Sequence, residues 1–353
     1  MAKNLQKYWE SRILALEDSI YKDTLKYEKL IKELYETTNY NLIREIMEII
    51  YSLGQNFTRA DANKLLDREQ LKSFKIANRE FLQDAKYTLS DKMKRQLKAM
   101  QKQSRISKYS ALISIIAKHT DVTLNTEERM LKTHLKDVYE KVYNYNSKGL
   151  SLLLGVREKK HSEKRIESLL QAPWADDELV ISQRVNNRRI RLNNSITKDL
   201  DRYLNGAITE TDFKKNVGKK VVSARKAAEN LVETEKAYFF EESESDCSKD
   251  YEADSYIIIA TLDKRTTQIC RSMDSKIYKY SERKIGVNAP PFHSRCRTTT
   301  AMKFTDDIQK RIMDRLDNVR MSRPPTTGKS THTDNVNYKE WEKMFPGLLQ
   351  RNG

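Results

Sequence analysis

The chain has 353 residues, with 66 Lys and Arg against 50 Asp and Glu and a formal net charge of +16. At about 150 residues per domain this length allows two or three domains, and a 38% hydrophobic content spread along the chain excludes wholesale disorder. Three cysteines exclude a disulfide framework and no apolar run is long enough to span a bilayer. The expectation is a protein made in a reducing cytoplasm, with a charge that suits either an anionic partner such as nucleic acid or plain solubility.

The opening, MAKNLQKYWESR, is polar and unlike a signal peptide. Residues 5–53 carry apolar groups at helical spacing: Ile13, Leu16 and Ile20, then Tyr27, Leu30, Ile31 and Leu34. The polar break Thr37-Thr38-Asn39 precedes a second run through Leu42, Ile46, Ile49 and Ile50. This predicts a helical hairpin, with Gly54 as its stop. Pro173 is the only proline before residue 290, so long helices are permitted throughout this region.

Residues 92–118 hold eight basic residues and no acidic one. Lys94, Lys98, Lys102 and Arg105 fall close to one helix face, where they can track phosphates, with Tyr87 and Tyr109 near enough to stack on bases. A solvated face beside the apolar Leu112–Ile116 segment is the alternative. A further helix from about Thr126 is expected to end near Lys148-Gly149. Between Arg184 and Lys226 there are twelve basic and four acidic residues, and Arg188, Arg189, Lys219 and Lys220 are candidate phosphate contacts within that block. Gly206 should close one helix, and Thr209 to Asp212 should open the next with a capping box. Glu229 to Asp254 then holds ten acids, readable as a partner-facing surface or as solvated helix faces.

The chain changes character at Tyr256–Lys303. Ser255–Leu262 and Ile277–Tyr280 read as strands, with Asp274-Ser275 as a turn. Cys270, His293 and Cys296 are candidate metal ligands, because zinc takes sulfur and nitrogen tetrahedrally and a His-x-x-Cys spacing brings both to one ion. A fourth ligand is not evident. Thr267 occupies the Cys-x-x-Cys position, and Asp263, Asp274, Cys247 or water are the alternatives. Buried, inert cysteines beside a structural histidine are the competing reading. A metal nuclease built on Asp263, Asp274 and His293, or a Cys270–His293 nucleophile pair, lacks the paired carboxylates such chemistry needs, so no enzymatic activity is expected.

The ordered set Asp263, Arg265-Thr266, Cys270, Asp274, Asn288, Pro290-Pro291, His293 and Cys296-Arg297 resembles the bacteriophage head morphogenesis family, the minor head proteins similar to phage Mu protein F. Trp174, Ser182, Arg184, Gly206 and Thr234-Glu235 are similar to that family's helical lead-in. Tyr8 to Arg12 and the Tyr338/Trp341 pair resemble its termini. Thr267 in place of a cysteine and Ser275 in place of the turn glycine depart from the pattern. The resemblance implies a minor capsid protein of the virion, lying inside the capsid near the portal and present in the host cytoplasm during assembly. Its implied partners are the portal protein, double-stranded DNA and capsid or scaffolding proteins, with zinc as the only implied cofactor. A metal-dependent DNA-binding protein or nuclease is the alternative.

The predicted fold class is mainly α with a small α+β C-terminal domain containing the Cys/His motif. The expected divisions are a helical region over 1–160, a helical lead-in over 161–240, the motif domain over 241–310, and a helix with a flexible tail over 311–353. That tail includes a linker at Met321–Thr333 and an aromatic docking segment at Tyr338–Trp341.

Overall fold

The computed structural model describes residues 2–52, 57–84, 87–317, 319–322, 325–327, 331–334, 340 and 343–346. The fold is mainly α with a small antiparallel sheet in its C-terminal part. Helix α1 runs from Ala2 to Ser52 without interruption. The expected hairpin is absent because the polar break is satisfied inside the helix. Thr38 donates its hydroxyl to the Leu34 carbonyl at 2.8 Å and lies 2.6 Å from the Thr123 hydroxyl. A buried threonine with both partners costs the helix little. Gly54 lies outside the described residues.

Helices α2 (Arg59–Asn63) and α3 (Arg68–Gln83) each start with a reciprocal capping box, Thr58 with Asp61 and Asp67 with Gln70. Helix α4 spans Asp91–Lys102 and α5 spans Lys108–Leu154. Gly149 does not end α5 as expected. Its missing side chain makes room for the Arg12 guanidinium, which lies 4.2 Å from the Tyr145 ring centroid and donates to the Tyr145 carbonyl at 3.0 Å. Gly155, in the left-handed region at φ 68°, supplies the actual stop. Then follow α6 (Glu163–Leu170), α7 (Ile181–Leu204) and α8 (Glu210–Asp250). Gly206, at φ 72°, follows α7, and Thr209 accepts from the Asp212 amide at 3.1 Å to open α8, as the sequence predicts.

The chain divides into two compact units, neither contiguous in sequence: Tyr21–Lys136 with Glu167–Glu235, and Met1–Ile20 with Asp137–Ile166 and Lys236–Gly353. The first unit is helical. Tyr27, Ile31, Tyr35, Thr38, Leu42, Ile46 and Ile50 repeat every three or four residues along α1 and are all buried. From α7 and α8 come Leu192, Ile196, Leu200, Phe213, Val217 and Val221, also buried.

The second unit contains the sheet, in the order β2-β1-β3. Strand β1 (Ser255–Ile259) is central and antiparallel to both β2 (Ile277–Lys279) and β3 (Thr299–Lys303), so Tyr256 faces Tyr278 on one side and Met302 on the other. Between β1 and β2 lies the short α9 (Gln268–Met273). Helix α10 (Asp306–Asp317) follows β3. The stretch read as a flexible linker carries strands at its ends: β4 (Val319–Ser322) pairs antiparallel with β5 (Thr331–Asp334). Tyr338 and Trp341 lie outside the described residues. Among the described residues, no helix is long and apolar enough to cross a membrane.

Candidate metal centre and its scaffold

Strand β1 delivers the chain into a loop that doubles back at Asp263. Its carboxylate accepts from the Arg265 amide at 2.8 Å and grips the Arg297 guanidinium at 2.5 and 2.8 Å. The Thr261 hydroxyl donates to the Arg297 carbonyl at 2.8 Å, so the same loop is tied to the chain before β3 by side chain and main chain together. Arg297 holds the Asp263 carboxyl well below the usual carboxylate range. Asp274 accepts from the Ala260 amide at 2.8 Å and so fastens the end of α9 to the end of β1. Ser275 adopts φ 64°, the left-handed conformation that a glycine would take without strain. Asn288 closes the next loop, accepting from the Lys284 amide at 2.7 Å and donating to the Glu282 carbonyl at 2.8 Å. The buried Pro290-Pro291 pair, joined by a cis peptide, leads to His293.

These ties bring three ligand atoms together. Cys270 Sγ lies 3.7 Å from Cys296 Sγ and 3.2 Å from His293 Nε2, and the three atoms all fall within 4.8 Å of one another. His293 donates its Nδ1 proton to the Ser294 carbonyl at 2.8 Å, which leaves Nε2 as the lone-pair nitrogen facing the sulfurs. Both cysteines are buried against Ala260 and Phe292, and burial pushes the Cys296 thiol up to about 11. The donor set fits a tetrahedral ion: zinc–sulfur bonds of about 2.3 Å place two sulfurs about 3.8 Å apart. Thr267 donates its hydroxyl to Nε2 at 2.9 Å, at the place a second Cys-x-x-Cys ligand would occupy. The other expected fourth ligands are elsewhere. Asp263 serves Arg297 and Asp274 serves Ala260. Cys247 is buried on α8, where burial raises its thiol far above the ordinary range.

Four acids of the stretch read as a partner-facing surface or solvated faces, Glu235, Glu241, Glu242 and Glu244, are buried, while Asp250, Glu252 and Asp254 are exposed. Glu241 accepts from the Thr299 hydroxyl at 2.7 Å, the Thr300 amide at 3.1 Å and the Thr300 hydroxyl at 2.6 Å. Glu242 pairs with Arg283 at 2.6 Å and Arg165 at 2.5 Å. Glu244 accepts from Tyr280 at 3.0 Å, and burial together with the neighbouring Glu241 charge pushes it up to about 8. Sequence reasoning missed these roles. The one available signal was the run Tyr238-Phe239-Phe240 directly before Glu241, all three buried, which carries the neighbouring acids into the core with it.

The lead-in residues of the helical unit also converge, in a separate cluster. Trp174 donates to Glu235 at 2.9 Å, and Arg184 joins Glu235 to Asp177. Glu235 is buried, which raises its pKa despite both partners.

The candidate phosphate contacts divide sharply. Lys94, Lys98 and Lys102 are exposed along α4 and Lys219 is exposed on α8. Arg105 is exposed too, but it lies in the loop beyond α4 and not on that helix face. Arg188 and Arg189 are committed to Glu127 and Asp121, carboxylates no more than 2% exposed, and Lys220 is committed to Asp199. The two tyrosines expected to stack on bases are engaged internally. Tyr87 stacks on Phe81 with centroids 4.2 Å apart, and Arg59 lies 3.6 Å over the Tyr109 ring.

Residues 194–301, from within α7 to within β3, match the family model described as Phage Mu protein F like protein. No curated protein and no solved structure gives a significant match.

Proposed function

We propose that this chain, whose residues 194–301 belong to the Phage Mu protein F-like family, is a structural head protein that contacts the portal and double-stranded DNA during head assembly, without catalytic turnover. The observation that carries this reading is how the polar groups of the motif are used. Asp263 grips Arg297, Asp274 caps the end of β1, and Glu241 fastens β3. Among the described residues, no carboxylate joins the Cys270, His293 and Cys296 cluster to act as a base. That economy suits a rigid docking module.

Cys270, His293 and Cys296 are the residues that would hold zinc. When bound, the ion supplies folding free energy by linking α9 to the turn before β3. The exposed lysines of α4 and Lys219 are the groups that face duplex phosphates, in a particle interior near the portal where DNA is dense. Capsid or scaffolding proteins are further partners on this reading.

The test is co-purification with the portal protein, with zinc measured on the same sample. Co-elution with one zinc per chain is expected; elution apart from the portal at every salt concentration sinks the portal assignment. A nuclease is the second reading, favoured by one observation: the Cys/His cluster opens onto a cleft of about 210 Å³ that arginines line. Plasmid incubated with the protein and Zn²⁺, Mg²⁺ or Mn²⁺ should stay intact. Nicking that Cys270→Ser abolishes would establish the nuclease instead.

A further inference from the structure

The cleft beside the cysteine cluster has a composition that the metal centre does not explain. Arg265, Arg295 and Arg297 line it, the Thr266 and Thr267 hydroxyls there being turned to the Thr261 carbonyl and His293 Nε2, and no carboxylate is in the lining among the described residues. The cavity, about 210 Å³, has room for a tetrahedral anion. Arg297 is set in place by both oxygens of Asp263, so its charge is offset and its role is to frame the wall. Arg265 stands differently. Its amide is used by Asp263, while its side chain is exposed at the mouth.

From this arrangement we propose that the cleft binds a phosphate group, with Arg265 as the principal cation. Guanidinium groups take phosphate oxygens through two parallel N–H donors. The phosphate comes either from a DNA backbone, which would rest on the DNA-contacting role proposed above, or from a free small anion. Either source meets the same donors, and the site differs from the lysine faces of α4 and α8 in being concave and fixed.

Two measurements on the full-length protein separate these sources. Line broadening of inorganic phosphate in ³¹P NMR, titrated with protein, reports the cleft as the difference between wild type and Arg265→Glu. Fluorescence anisotropy of a labelled duplex across a salt series reports DNA. Wild type should broaden the phosphate signal, Arg265→Glu should weaken that binding at least about tenfold, and Arg265→Lys should retain part of it, since a lysine keeps the charge but loses the fork. If DNA supplies the phosphate, Arg265→Glu should also reduce the slope of log affinity against log salt by about one. Loss of phosphate binding with an unchanged DNA slope supports the site with a small anion as its ligand. DNA binding by wild type with no phosphate broadening, and no effect of Arg265→Glu, overturns the site while leaving the DNA role standing. Binding of neither overturns both. Thermal unfolding of each variant, expected to match wild type because the Arg265 side chain is exposed, excludes misfolding as the cause.

Discussion

Asp263 and Arg297, 34 residues apart in sequence, are joined through both carboxylate oxygens at 2.5 and 2.8 Å. They sit on the two chain segments that carry Cys270 and Cys296, so the ion pair sets the distance across which those sulfurs face each other. Replacing Asp263 with Asn keeps the shape but removes the charge that orients Arg297. Zinc affinity should fall by about tenfold, the usual effect of losing a group that positions ligands. Competition against a chromophoric chelator measures it; an unchanged affinity would mean that the loop holds its course without the pair.

Cys270→Ser should release zinc altogether and lower the unfolding temperature, while Thr267→Cys should tighten zinc, because it places a thiolate where a hydroxyl now meets His293 Nε2 at 2.9 Å. Zinc content by mass spectrometry of the native protein distinguishes the two. If Thr267→Cys binds zinc no better than wild type, the fourth position does not lie there.

The pH dependence of stability should carry the signature of Glu244. Its pKa is raised in the folded chain to about 8, above the ordinary glutamate value near 4.5. The folded state therefore binds the extra proton between those values, and stability is greatest below the lower one and falls as pH rises through the higher. The slope is up to about 1.4 kcal/mol per pH unit for one such group. Urea midpoints from pH 5 to 8.5 should decline for wild type and stay flatter for Glu244→Gln. A variant that declines as steeply as wild type would assign the effect to another group.

Charge substitutions in the helical unit should separate DNA contacts from core pairs. Arg188→Met strands the buried Glu127 and should cost about 3–5 kcal/mol in chemical denaturation. Changing Lys94, Lys98 and Lys102 together to Glu should alter stability by under about 1 kcal/mol while weakening duplex binding and flattening its salt dependence. If the triple variant binds DNA like wild type, the α4 face serves solubility.

How far the molecule was readable depended on whether the deciding contact was local. The Gly206 stop and the Thr209–Asp212 box use partners within four residues, and both appear where the sequence predicts. Strand β1 and the turn at Ser275 were equally legible, as was the Cys270, His293 and Cys296 grouping. Thr38 and Gly149 misled for the opposite reason. Thr123 lies 85 residues from the first, and Arg12 approaches the second from another helix. Burial of Glu241 depends on threonines of β3 at a separation of 58 and 59 residues. A charge count cannot tell such an acid from a solvated one, and the same blindness placed Arg188 and Arg189 among phosphate contacts.

Glu241 also bears on how the small domain comes into being. Strand β3 donates three hydrogen bonds to a carboxylate on a helix that precedes the whole sheet. A fragment beginning at β1 would have the strands, Cys270, Cys296 and His293, yet its last strand would keep only its pairing with β1 and lose the three bonds to Glu241. The heritable unit must therefore start well upstream of its most recognisable residues. That is consistent with a family match that opens at residue 194 and takes in all of α8 before it reaches the sheet.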